Sequence, residues 1–185
     1  TPIPPVVVVA PPPPPDPNAK PEILWGRWQR VANLKPDAKV LASINADASK
    51  NQVLVGSYVV ARPNNSTFVL PTEGRASFVM AASEATLTKA GGTPTMAQVK
   101  DAHLDIDFVS RSYDTGLTVF NSLGTVDMKS SGDVTQTGVL QNSLMSPGFI
   151  LRGLLGGPTA NEAVYTFKTT GTPNLEAAGV VRWVK

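Results

Sequence analysis

The chain contains no cysteine. That removes a disulfide framework, a thiolate metal site and a cysteine nucleophile in one step. Histidine is almost as scarce: His103 is the single one. Any Ser-His-Asp arrangement would have to use it, and no G-x-S-x-G elbow accompanies it. Phosphate-cradling patterns of the G-x-x-x-x-G-K-[ST] or strand-linked G-x-G-x-x-G kind are missing too, which leaves nucleotide binding without support. Carboxylate pairs occur, but none lies in the apolar setting that acid–base work requires. No apolar run approaches the roughly 20 residues that cross a bilayer as a helix. Charge is also sparse. Charged residues are 16% of the 185 and the net charge is +2. A nucleic-acid partner would need a basic stripe with interleaved aromatics, and none is present. These absences predict a non-enzymatic chain with no cofactor, whose business is binding or assembly.

Hydrophobic residues make up 42%, so Ser, Thr, Asn and Gly must cover much of the surface, as in many exported proteins. The chain begins at Thr1 rather than Met, which predicts a processed or partial chain with any signal peptide or anchor upstream. Residues 1–21 read TPIPPVVVVAPPPPPDPNAKP and form a separate arm. Proline fixes φ and donates no backbone hydrogen bond, so neither a helix nor a central strand fits there. The run Pro11–Pro15 predicts stiff polyproline II. A spacer is the plain reading. Against it stand Val6, Val7, Val8 and Val9, four consecutive residues of high strand propensity with nothing local to bury against. Such a segment can add to a sheet edge, in a partner or in its own domain.

Residues 22–185 read as one β-domain. Short strands separated by turn residues recur roughly every 10–12 residues, the rhythm of a barrel or sandwich. The expected strands are Ile23–Arg30, Val53–Ala61, Gly74–Ala82, Glu84–Lys89, Ala97–Val109, Tyr113–Phe120, Thr125–Lys129, Val134–Gln141, Gly148–Leu155, Ala163–Thr169 and Ala178–Val184. Lys35–Asn45 is the one helix candidate, with Val40, Leu41 and Ile44 on one side. The pairs Gly91-Gly92, Thr115-Gly116, Leu123-Gly124 and Ser131-Gly132 are expected as turns or bends.

Alternation is clearest at 101–108. Ala102, Leu104, Ile106 and Phe108 fall on one face, and Asp101, His103, Asp105 and Asp107 on the other. Same-face neighbours lie about 7 Å apart, so two of these with a further oxygen could share calcium or manganese. The plainer alternative is a solvated strand face that discourages edge aggregation. Near the two ends of the domain lie Arg27-Trp28 and Arg182-Trp183. If the first and last strands are neighbours in a closed barrel, these pairs come side by side. One tryptophan then belongs to the core, and another is exposed or covered by the arm. A stacked Trp/Arg patch would suit a partner or glycan.

Three stretches carry a resemblance: Trp25-Gly26-Arg27-Trp28, Ala102–Phe108 ending in Leu-x-Ile-Asp-Phe, and Gly153–Phe167, GLLGGPTANEAVYTF. The last resembles the glycine-rich signature of transferrin-binding protein B-like β-barrels, of the type also found at the C-terminus of FecR-domain bacterial envelope proteins. One departure is that Glu162 is followed by Ala163-Val164-Tyr165 rather than by a glycine pair. The resemblance covers about Glu22–Val184. It implies an all-β fold, an eight-stranded antiparallel up-and-down barrel with a filled interior and short additional strands or one short helix. It also implies an extracytoplasmic setting, the periplasm or cell surface of a Gram-negative bacterium. The expected role is an interaction module that binds a protein partner, or other copies of itself, through barrel exterior, loops and residues 1–20. The alternatives are an assembly subunit that uses the arm for strand addition, and a lipocalin-like binder of small ligands. Glu162 is expected to be structural.

Overall fold

In segments such as Arg75–Phe78 and Leu104–Asp107, buried residues recur at every second position, as a half-buried strand requires. In the computed structural model, residues 22–47, 51–142, 148–171 and 174–185 are described. The arm, with Val6, Val7, Val8 and Val9, lies outside them. Eight strands close the barrel: β4 (Arg75–Lys89), β5 (Thr95–Asp107), β6 (Ser112–Asn121), β7 (Gly124–Val134), β8 (Val139–Asn142), β9 (Phe149–Gly156), β10 (Glu162–Thr169) and β11 (Leu175–Val184). Each pairs antiparallel with the next in sequence, and β11 returns to pair with β4. Closure of this kind removes the two edge strands of an open sheet.

The interior is filled, as eight strands allow. Phe78, Leu104, Ile106, Leu117, Val119, Leu151, Leu155, Tyr165, Phe167, Val181 and Trp183 are all buried in one cluster. The Trp183 and Tyr165 rings sit 5.6 Å apart, and Tyr165 meets Phe167 edge-on at 6.4 Å. The signature glycine Gly153 pairs with Tyr165. A Cβ there would lie 2.5 Å from the Tyr165 Cβ and 2.6 Å from the Val164 carbonyl oxygen. Glycine at 153 therefore admits the largest ring of β10 into a narrow barrel.

A second layer covers the outside of β9–β11. It is a three-stranded antiparallel sheet, ordered β1 (Leu24–Arg27), β3 (Tyr58–Arg62), β2 (Asn51–Val55). Ile23, Tyr58 and Val60 pack against Leu154, Val164 and Val180 of the barrel wall. A third layer, α1 (Ala38–Asp47), lays Ile44, Val40 and Leu41 on Val59, Ala61 and Leu24 of that sheet.

Several expected elements are corrected. Ile23–Arg30 is not a barrel strand; its core, β1, belongs to the outer sheet. Val53–Ala61 is a hairpin turning at Gly56-Ser57; its second strand, β3, is buried along its whole length and so lacks the alternation that would have set it apart from β2. Gly74–Ala82 and Glu84–Lys89 are one 15-residue strand, β4. Gly116 and Gly132 lie inside β6 and β7 rather than at turns. The helix runs from Ala38 to Asp47, after Pro36, two residues beyond the expected end.

Candidate interaction surface

Each residue of the Trp25–Trp28 motif has a different task, set by strand alternation. Trp25 packs between the outer sheet and the barrel. Gly26 leaves room for a carboxylate, since a Cβ there would lie 2.9 Å from Asp37 Oδ2. Asp37 stands where a helix N-cap would, yet its carboxylate is taken by β1: it accepts the Arg27 backbone N–H at 2.8 Å and the Arg27 guanidinium at 2.6 Å. The same guanidinium donates to Glu84 Oε2 of β4 at 2.5 Å, and the Tyr58 hydroxyl donates to Glu84 Oε1 at 2.9 Å. Burial, reinforced by the Glu84 carboxylate, pushes the Tyr58 phenol well above its ordinary value. This network joins helix, outer sheet and barrel. Its members are mutually dependent, because removing one leaves a poorly solvated charge behind. We expect a double-mutant cycle between Arg27→Met and Glu84→Gln to give a coupling of about 1–3 kcal/mol in urea unfolding. Additive single costs would show that the pair does not act as a joint.

Trp28 points the other way. It is 42% exposed and is the largest exposed apolar side chain among the described residues. Its indole N–H donates to the Gly56 carbonyl at 2.9 Å, which fixes the ring over the hairpin turn. Leu54, 53% exposed, lies in β2 on the sheet face away from the barrel. Arg30, Lys35 and Lys39 follow nearby in sequence and are exposed.

The pairing of Arg27-Trp28 with Arg182-Trp183 does not form. The neighbour of β11 is β4, not β1, because closure uses the barrel's own first strand. Trp183 is wholly buried inside the barrel and offers nothing to a partner. Its Nε1–H has no hydrogen-bond partner among the described residues. Arg182 is held by Glu162, Nε to Oε1 at 2.8 Å, and Glu162 also accepts the Glu22 backbone N–H at 3.1 Å. Glu162 thus ties the entry of the domain to its last strand.

The acidic row has no common centre. Asp101 takes a left-handed backbone, φ 49°, within a β-bulge, so the alternation that would align all four residues breaks. His103 Nε2 meets Asp114 Oδ1 at 3.0 Å, and Asp105 accepts the Ser77 hydroxyl. Asp107 accepts the backbone N–H groups of Val109 and Ser110 and an N–H of Arg75. The Ser110 N–H and the Arg75 guanidinium hold the Asp107 carboxyl below its usual range. Among the described residues no group of three or more His, Asp or Glu could hold a metal ion. With Asp114 and Asp133, Asp105 and Asp107 line an open trough of about 850 Å³ on the outer wall.

Sequence reasoning missed Asp37, Tyr58 and Glu84, which are scattered along the chain and carry no spacing signal. It also missed Arg62, a buried arginine that donates to the Leu155 and Thr137 carbonyls and lies 4.1 Å over the Phe68 ring.

No family model matches the chain, and no curated protein sequence does. Solved structures do. A transferrin-binding protein B mutant from Haemophilus parasuis matches at 18% identity and TM-score 0.43, over 70% of this chain and 30% of that one. The isotype 1 transferrin-binding protein B of serogroup B Neisseria meningitidis matches at 15% and TM-score 0.42, over 69% and 29%. A structure described as a surface lipoprotein matches at 14% and TM-score 0.44, over 74% and 72%. The chain thus spans under a third of the length of the transferrin-binding proteins it matches. These are the barrels that the Gly153–Phe167 stretch resembles; the closure of the barrel itself rests on the strand pairs given above.

Proposed function

We propose that this chain is a non-enzymatic interaction module of the bacterial envelope that docks a protein partner through its outer surface. The carrying observation is the filled barrel. The space among Thr115, Leu117, Met128, Phe149, Leu151 and Tyr165 has no room for a water molecule, which counts against a lipocalin-like carrier. Recognition is then left to the exterior. Trp28 is suited to anchor it, being large, half-exposed and held in place by its N–H bond, with basic side chains following it in sequence. An extracytoplasmic location, and the linkage of such barrels to FecR-type domains, belong to the same proposal.

The arm supports a second reading. Val6, Val7, Val8 and Val9 would add as a strand to another copy or to a partner. Solution mass by light scattering, with and without residues 1–20, separates the two. An oligomer that becomes monomeric on truncation makes the arm an assembly element. Two monomers make it a tether and leave docking to the Trp28 surface. A photocrosslinking residue in place of Trp28 should then trap a protein in the native envelope, and one in place of Lys129 on β7 should not. Monomers that trap nothing at position 28 would overturn the proposal.

A further inference from the structure

The barrel wall is closed but not evenly stitched. Against β11, the register of β4 shifts between Arg182 and Trp183, leaving Ala81 as an inserted residue. Against β6, the register of β5 shifts between Lys100 and His103, where Asp101 holds its φ of 49°. Each strand therefore carries a bulge relative to its outer neighbour. Relative to each other they carry none: the ladder joins Phe78 to Leu104 and Ala85 to Ala97, the same number of steps along both strands. Ala81 thus falls opposite Asp101, and two bulges face each other.

The consequence is a seam. Residues 79–84 of β4 and 98–103 of β5 share no ladder pair. Ser83 is exposed although its β11 partner, Val181, is buried in the core. Val79, at the start of the seam, is 70% exposed. Backbone N–H and C=O groups that lack a strand partner fall to water, which lowers the cost of local opening. Bulges are sited features of sheets rather than defects.

On the far side of the seam, Arg75–Phe78 is held on one flank only. Pairing with β11 begins at Val79, so these four residues bond to β5 alone, against Leu104–Asp107. Two side-chain links back them up: Arg75 Nε to Asp107 Oδ2 at 2.8 Å, and Ser77 Oγ to Asp105 Oδ1 at 2.5 Å. Beneath lie Ala76 and Phe78, both buried.

We propose that Arg75–Phe78 is a strap that peels from β5 as a unit, hinged at Val79 where the seam begins and pairing with β11 takes hold, and opens the barrel wall while the rest stays folded. Peeling uncovers Phe78 and frees the 104–107 edge of β5. It converts a closed barrel into one that can accept an extended strand.

The test exploits the absence of native cysteine. Ser77 and Asp105 are direct cross-strand partners, so the double variant Ser77→Cys/Asp105→Cys places one disulfide across the strap, within the reach such a bond needs. Amide hydrogen exchange is read on the oxidised and reduced forms of this one protein. In the reduced form, amides of 75–78 and 104–107 should exchange at least about 10-fold faster than those of 163–167 in β10. Oxidation should slow the strap amides about 10-fold or more, and the β10 amides by no more than the gain in global stability measured in urea. Should the double variant not fold, Arg75→Ala in the native sequence should speed strap exchange several-fold without moving β10. Strap amides as protected as β10, or indifferent to the crosslink and to the loss of Arg75, would overturn the proposal.

Discussion

Replacing Trp183 with alanine should lower the unfolding free energy by about 3–5 kcal/mol, a melting shift of roughly 10 °C or more in a domain of this size. The side chain is wholly buried and its ring stands 5.6 Å from Tyr165. The hole is costly because Trp183 is packed among large side chains of a filled core, Tyr165 first among them, that cannot all move in to close it. Trp183→Phe should cost well under half as much, since it keeps a ring in place and discards an N–H that has no partner. Trp28→Ala is the control. Its ring is half-exposed, so its removal should change stability by about 1 kcal/mol or less. Urea unfolding of the three variants decides the matter. A larger cost at position 28 than at 183 would invert the assignment of inside and outside.

At alkaline pH the whole transition should be abrupt. The chain has three tyrosines, Tyr58, Tyr113 and Tyr165, and all are at most 2% exposed. Burial raises all three phenols. Tyr113 is pushed up to about 12, and Tyr58 is raised further by Glu84. Tyr165, at the barrel centre, is raised by burial against an offsetting hydrogen bond with Thr115. A phenol raised in the folded state binds its proton more tightly there than in the unfolded chain, where it ionises near 10. The stabilising contribution is therefore complete below about pH 10 and is lost as pH climbs through 10 toward 12 and beyond. Phenolate absorbance at 295 nm should stay flat through pH 10 and then rise in one step together with the loss of circular dichroism. A separate ionisation near pH 10 in the folded protein would mean that one of these rings is exposed.

The barrel was legible where one face of a strand is wet and the other dry. Tyr113–Val119 and Leu104–Phe108 announce their inward residues by simple alternation, and Gly153 announces a close approach. Legibility failed where both faces are covered. In Val53–Ala61 the β3 half lies between barrel and helix and is buried throughout, so no wet-dry alternation separates it from β2 across the turn at Gly56-Ser57. The arginine–tryptophan pairs misled for a related reason. Strand adjacency was inferred from chain ends, whereas β1 belongs to a layer outside the wall. Among the described residues expected to meet a partner, Trp28 is the one that lies exposed at the surface. Arg27 and Arg182 serve as joints, and their carboxylate partners came from 10 to 57 residues away, beyond the reach of any local pattern. Asp101 was grouped with its neighbours because a one-residue bulge is invisible to a count of every second position.

The outer sheet leaves the barrel's circumference with two unequal tolerances to mutation. On β9–β11 both faces are packed, so almost any substitution there disturbs a neighbour. On β5–β7 the outward positions, such as His103, Asp114, Asp127 and Lys129, are exposed and bear on the fold only weakly. One flank is thus bound to stay nearly constant while the other is free to drift, to be recoloured in charge, or to be redesigned by hand. A library aimed at new binding specificity would place its diversity on β5–β7 and leave β9–β11 untouched.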